Sequence, residues 1–159
     1  MRLTGEFRWE ITKRIQGARW SDISDPSLTS AYFDYLQFYR SNKELSIETK
    51  STIKTELMRA RNVYRAVFVN NYIDWIAYES NGSQRLNRFA RKIMLNYCPF
   101  PKEIREKLGT NPQYAEALKL YNLRIRKDSQ KLANLHQKIQ QQGKQIPKEL
   151  MDEMAFLER

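Results

Sequence analysis

The chain has 159 residues, 41% of them hydrophobic and 29% charged, with 28 Lys plus Arg against 18 Asp plus Glu for a net charge of +10. That composition suits one globular domain with a real core, excludes extended disorder, and favours anionic partners. A lone Cys98 excludes an intrachain disulfide and no apolar run reaches the roughly twenty residues needed to span a bilayer, which together point to a reduced, cytoplasmic protein with no membrane partner.

The opening stretch LTGEFRWEITKRIQGARW predicts a short amphipathic helix with Thr4 as N-cap and Phe7, Ile11 and Ile15 along its apolar face. In SDISDPSLTS, Asp25 is placed to cap a second helix and Pro26 to occupy its first position. On a wheel of about 100° per residue, Leu28, Tyr32, Tyr35, Leu36 and Tyr39 share one arc, with Ala31 and Phe38 at its edge. Most of the aromatic run SAYFDYLQFYRS is therefore expected in the core, while Phe33 points to the polar side between Gln37 and Arg40 and is the candidate partner-binding ring.

From Ser46 or Thr49 onward, Ile53, Leu57, Ala60, Tyr64, Val67, Asn71 and Trp75 step by three and four, predicting a single helix of about thirty residues that ends at Gly82. The strand-like VYRAVFV lies inside it, with no turn signal to set it apart. QRLNRFARKIMLNY predicts a helix with Leu86, Phe89, Ile93 and Tyr97 on one face and Arg85, Arg88 and Lys92 on another, stopped by Pro99 and Pro101. PKEIREKL and PKELMDEM share helix-start chemistry, Pro followed by Glu in the first turn. Between them, Leu118, Ile125, Leu132 and Ile139 recur every seven residues with Tyr121, Asp128 and Leu135 three after, a seam on a helix of residues 112–142 that asks for a partner helix and offers a homodimer face. Gly143 and Pro147 end it, and Leu150, Met154 and Leu157 supply a short closing face.

Site chemistry is sparse. His136 is the only histidine and has no second His or Cys to complete a metal site or nucleophile pair, Cys98 reads as a buried structural thiol, and the five glycines are too scattered for a phosphate loop. No metal and no cofactor is expected. Glu48-Thr49-Lys50, with Asp34 upstream, matches the short acid-x-lysine element of metal-dependent nucleases but sits at a helix start, and Glu103 with Glu106 belongs to a charged exposed face. The cationic faces carry more information: Lys50, Lys54, Arg61 and Arg65; Arg85, Arg88 and Lys92; and Arg124, Lys127, Lys131 and Lys138. These are the candidate phosphate contacts, against the plainer alternative of a solvated surface.

The opening MRLTGEFRWEI and the segment CPFPKEIREKLGTNPQYAEALKLYNLRIRKDSQKLANLHQKI resemble small phage-encoded helical proteins of the nucleotide-modification-associated group. The resemblance covers the first dozen residues and the C-terminal third, implies a phage or prophage origin, and assigns no site residue.

The sequence thus predicts one all-α domain over 1–159, a bundle of about five to seven helices with a helical core at 1–98 and a C-terminal hairpin at 99–159 whose long helix is coiled-coil-like. The expected function is non-enzymatic: a phage or mobile-element accessory protein that binds nucleic acid or a nucleoprotein complex, in the host cytoplasm where phage-encoded. The alternatives are an inhibitor or adaptor acting on a nucleic-acid-processing host protein or defence complex, a virion structural component, and, last, a nuclease.

Overall fold

The computed structural model describes residues 1–158, all-α with eight α-helices and no strand among the described residues. The chain divides into two compact units, Met1–Pro99 and Phe100–Arg159. In the first, helix α1 (Arg2–Gln16) starts at Met1 without a side-chain cap, so Thr4 lies inside the helix and not at its N-cap. It buries Gly5 and Trp9 and leaves Phe7 64%, Ile11 42% and Ile15 76% exposed, reversing the face expected from aliphatic spacing. The reason is close approach: a Cβ on Gly5 would meet Tyr72 Cδ1 at 3.1 Å, tighter than ordinary contact, and glycine lets the ring lie against the helix without shifting. One turn on, Trp9 packs against Phe68 and Tyr32, with centroids 5.5 and 6.3 Å away.

Helix α2 (Leu28–Phe38) is capped by Ser27, not Asp25. Ser30 N donates to Ser27 Oγ at 3.2 Å and Ser27 N donates to Ser30 Oγ at 2.9 Å, a reciprocal box that satisfies two otherwise orphaned donors. Leu28, Tyr32, Tyr35, Leu36 and Tyr39 are all buried, as their spacing requires. Phe33 is half-buried, held edge-on by Trp20 at 5.9 Å and Tyr64 at 5.8 Å, whereas Phe38, at 47% exposure, is the ring of this stretch most open to water.

The expected long helix is two helices, α3 (Ile47–Arg59) and α4 (Tyr64–Ala77). Arg61 and Asn62 both adopt left-handed backbone, φ 51° and 59°, and Asn62 N donates to Leu57 O at 2.8 Å while Arg61 N donates to Met58 O at 3.1 Å. This is a Schellman closure made without glycine. Helix α4 is the centre of the unit: Val67, Phe68, Val69, Asn71, Tyr72 and Trp75 are buried, and α1, α2, α3 and α5 (Arg88–Tyr97) all pack on it. Burial on several sides explains the strand-like composition of VYRAVFV, since a central helix needs apolar residues nearly all round.

Beyond α4, a 3₁₀ turn (Glu79–Asn81) ends at Gly82 with φ 82°, and Asn87 caps α5 by accepting from Phe89 N and Ala90 N. Helix α5 buries Ala90, Arg91, Met94 and Leu95 and leaves Phe89, Ile93 and Tyr97 half-buried, so its inner face is rotated from the expected one. Trp75 Nε1 donates to Cys98 O at 2.9 Å, tying the end of α5 to the core.

The second unit holds α6 (Lys102–Gly109), α7 (Pro112–Gln141) and α8 (Lys148–Glu158), with α6 and α8 both packed on α7. Asn111 caps α7 by accepting from Gln113 N at 3.0 Å, Pro112 fills the first turn, and Gly143 reverses the chain with φ 65°. The seam is buried at Leu118 and Tyr121, then half-buried at Ile125, Asp128, Leu132, His136 and Ile139, while Leu135 is 46% exposed. His136 takes the inward place because a straight helix of about 3.6 residues per turn drifts from a strict seven-residue repeat.

Candidate cationic faces and a polar cleft

The three cationic stripes meet different fates. On the first unit Arg85 precedes α5 and lies in the connecting loop, its guanidinium 4.8 Å from the centroid of Tyr78, a ring 43% exposed. Arg88 opens α5, where a cation opposes the helix dipole, and its Nη2 donates to Glu44 Oε2 at 3.0 Å. Lys92 is exposed one turn later. The three therefore do not form one helical stripe.

Nor do Lys50, Lys54, Arg61 and Arg65, because the Schellman turn separates them. Lys50 Nζ donates to Arg40 O at 2.9 Å, Lys54 is exposed on α3, Arg61 sits in the turn, and Arg65 pairs with Glu10 of α1 at 2.7 Å. The cation that spacing failed to distinguish is Arg91, which turns inward to Glu79.

Only the α7 set stays on one unbroken helix. Lys127, Lys131 and Lys138 are exposed and Arg124 is half-buried, all within about a 60° arc. From Arg124 to Lys138 the arc runs about 21 Å along the axis. Arg124 lies 5.8 Å from the Tyr121 centroid and Arg105 of α6 lies 5.3 Å from the same ring, anchoring one end of the stripe by cation–π contact. Lys131 approaches Asp128 at 3.7 Å but remains 78% exposed, a weak surface pair.

A second feature of the first unit is a polar cleft of about 280 Å³ lined by Glu48, Thr52 and Glu56 of α3, Asn71 of α4, and the loop of residues 84–87. Thr52 Oγ1 donates to Glu48 O at 3.1 Å, and Asn87 Nδ2 donates to Tyr35 Oη at 2.6 Å. Glu56 Oε2 and the Tyr32 hydroxyl are buried without a hydrogen-bond partner, and Asn71, 4% exposed, faces that hydroxyl without meeting hydrogen-bond geometry. Burial, reinforced by Asp74 and opposed by Arg59, raises the Glu56 carboxyl above its usual range. Glu48 of the acid-x-lysine element opens onto this cleft while Lys50 is engaged with the Arg40 carbonyl. Among the described residues there is no group of three or more His, Cys, Asp or Glu that could hold a metal.

Cys98 is 5% exposed, and burial pushes its thiol up to about 11 despite Arg8 nearby. No helix among the described residues is long and apolar enough to cross a membrane.

The fold and these surfaces define a basic, all-α protein with a cationic helix face and a polar cleft. The chain belongs to the family described as "Domain of unknown function (DUF8509)", whose model matches residues 17–156. No curated protein and no solved structure matches it.

Proposed function

We propose that this is a non-enzymatic accessory protein of a phage or mobile element that binds nucleic acid, in the cytoplasm of the host, through the basic face of α7. The observation that carries the proposal is the continuity of that helix: Lys127, Lys131 and Lys138 stand exposed along one arc, with Arg124 at its head, whereas the other stripes are divided by turns or tied to Glu10 and Glu44. A net charge of +10 adds long-range attraction for a polyanion. Spacing on a helix face matches phosphates as charges and not base edges as patterns, so the binding is electrostatic and indifferent to sequence.

Fluorescence anisotropy of labelled duplex and single-stranded oligonucleotides against salt tests this. With about four phosphates engaged, the log–log slope should be near −3. The double variant Lys127→Glu, Lys131→Glu should flatten the slope by about two and weaken binding equally across sequences. Arg88→Ala, which removes a cation already paired with Glu44, should change it less. Absence of binding at low salt, or a slope untouched by the double variant, counts against the reading.

A second reading, an adaptor or inhibitor docked on a host protein, draws on α1, where Leu3 is 79%, Phe7 64% and Ile15 76% exposed. Capture from host lysate that persists after nuclease digestion and is lost in Phe7→Ser favours it over direct nucleic-acid binding.

A further inference from the structure

Helix α1 is held by one face and leaves the other bare. Gly5 against Tyr72 and Trp9 against Phe68 fix it to the core, and at about 100° per residue Leu3, Phe7, Ile11 and Ile15 fall on the opposite side. Each of the four is at least 42% exposed, so the packing that buries the indole is what turns them outward. They follow one another at steps of four residues, which makes them a single i±4 ridge of the kind that interdigitates with its like on another helix at a crossing of about −50°. Two such ridges bring together roughly 1,000 Å² of apolar surface, the size at which a specific interface begins.

The ridge and its rim are self-complementary. Leu3 and Ile15 lie equally far from Trp9 along the helix, as do Phe7 and Ile11, so an antiparallel pair sets each aliphatic end against the other and Phe7 against Ile11 of the second copy. About a two-fold axis like rims meet, and one rim of this ridge carries Glu6, Glu10 and Arg14. Glu10 is already neutralised by Arg65 at 2.7 Å, whereas neither Glu6 nor Arg14 has an ion pair among the described residues. In the pair Glu6 comes within about 3 Å, along the axis, of the level of Arg14 of the second copy, close enough for a long guanidinium side chain to reach it. We propose that the α1 ridge is the interface of an antiparallel homodimer, in which the apolar side chains supply the affinity and the two Glu6–Arg14 pairs set the register. Carboxylates on the rim disfavour an anionic lipid surface as the occupant. The net charge of +10 opposes pairing at long range, but a Debye length of about 8 Å at physiological salt confines that repulsion. The inference rests on neither reading of function, and a host protein docked on α1 would compete with it.

Sedimentation velocity of the full chain, freed of nucleic acid, tests it. The parent should be dimeric at about 100 μM and dissociate on dilution, as expected of an interface at the small end of the specific range. Phe7→Ser, which alters a ring outside the core, should melt as the parent does but be monomeric, and Ile23→Ser, at an exposed apolar position off the ridge, should pair as the parent does. Glu6→Lys and Arg14→Glu should each weaken self-association about fivefold or more, and an equimolar mixture of the two should recover the parental affinity, because each copy supplies the charge the other has lost. A chain monomeric throughout, or a dimer untouched by Phe7→Ser, overturns the proposal, the second by placing the contact elsewhere. A monomer that cosediments with phosphatidylglycerol vesicles, and ceases to in Phe7→Ser, overturns it by assigning the ridge to a lipid surface. Charge variants that fail to recover on mixing overturn the antiparallel pairing.

Discussion

Glu79 and Arg91 form a buried ion pair, Arg91 Nε donating to Glu79 Oε2 at 2.7 Å with side-chain exposures of 8% and 0%. Glu79 Oε1 also accepts from Arg85 N at 2.8 Å, Leu86 N at 2.7 Å and Arg91 Nη2 at 3.1 Å, and Arg91 Nη2 donates to Leu86 O at 2.8 Å. The pair is thus the fastening of the 79–91 connection, which holds Arg85 over Tyr78 and forms one wall of the cleft. Glu79→Gln removes the charge but keeps the shape, taking from Arg91 the carboxylate it meets at 2.7 Å, and should destabilise the protein by about 3–5 kcal/mol. Urea denaturation measures the loss, and hydrogen exchange at Arg85 and Leu86 should quicken. Replacing both Glu79 and Arg91 by leucine should restore part of it.

Acidity should act in an unusual direction on the α3–α4 contact. Burial is the largest cause raising both carboxyls, Glu56 from 4.5 and Asp74 from 3.8. A carboxyl raised on folding binds more protons in the folded state, so its contribution to stability falls as pH climbs from the unfolded value through the folded one. Lowering the pH from neutral towards 4.5 should therefore relieve the strain at Glu56, opposing any acid destabilisation from other groups. Glu56→Gln should raise the melting temperature at pH 7 and gain little at pH 4.5; an equal gain at both values counts against this.

The turn after α3 carries a removable strain. Arg61 at φ 51° has the long side chain less suited to left-handed backbone, whereas Asn62 at φ 59° is of a type that tolerates it. Arg61→Gly should stabilise by about 1 kcal/mol and Asn62→Gly by less. Thermal melts of the two variants check the order.

In the aromatic run of α2, the rings divide by what they touch. Tyr35→Ala, at 7% exposure and hydrogen-bonded to Asn87, should cost about 3 kcal/mol or more. Phe33→Ala should cost about 1–2 kcal/mol, since the ring is half-buried between Trp20 and Tyr64. Phe38→Ala, at 47% exposure, should stay within about 0.5 kcal/mol of the parent. Denaturant midpoints rank the three.

What the sequence could express was local. The arc from Leu28 to Tyr39 and the span of α7 follow from periodicity and from Asn111, Pro112 and Gly143, all readable within a few residues. The join at Ala60–Val63 hid because Tyr64 falls four residues after Ala60, so the apolar rhythm ran across a turn closed by Arg61, a residue that gives no turn signal. Helix α1 misled because a glycine and one indole bury more effectively than three aliphatic residues when a facing ring can come close. The Arg91–Glu79 pair joins residues twelve apart through a loop, and nothing in local spacing distinguishes Arg91 from Arg88 or Lys92. The cleft likewise draws Glu56 and Asn71 from separate helices, and only Asn71 within an apolar series hinted at it.

The bond from Trp75 to the Cys98 carbonyl gives the molecule two reporters at one address. The single thiol of the chain is sealed in and shifted to about 11, and the indole beside its carbonyl is wholly screened from water. A thiol reagent at neutral pH can reach Cys98 only when this part of the core opens, and opening also releases the Trp75 indole into solvent. Labelling rate and the Trp75 part of the tryptophan emission then clock the same event from two sides, so any agent that tightens the first unit should slow the one as it delays the other.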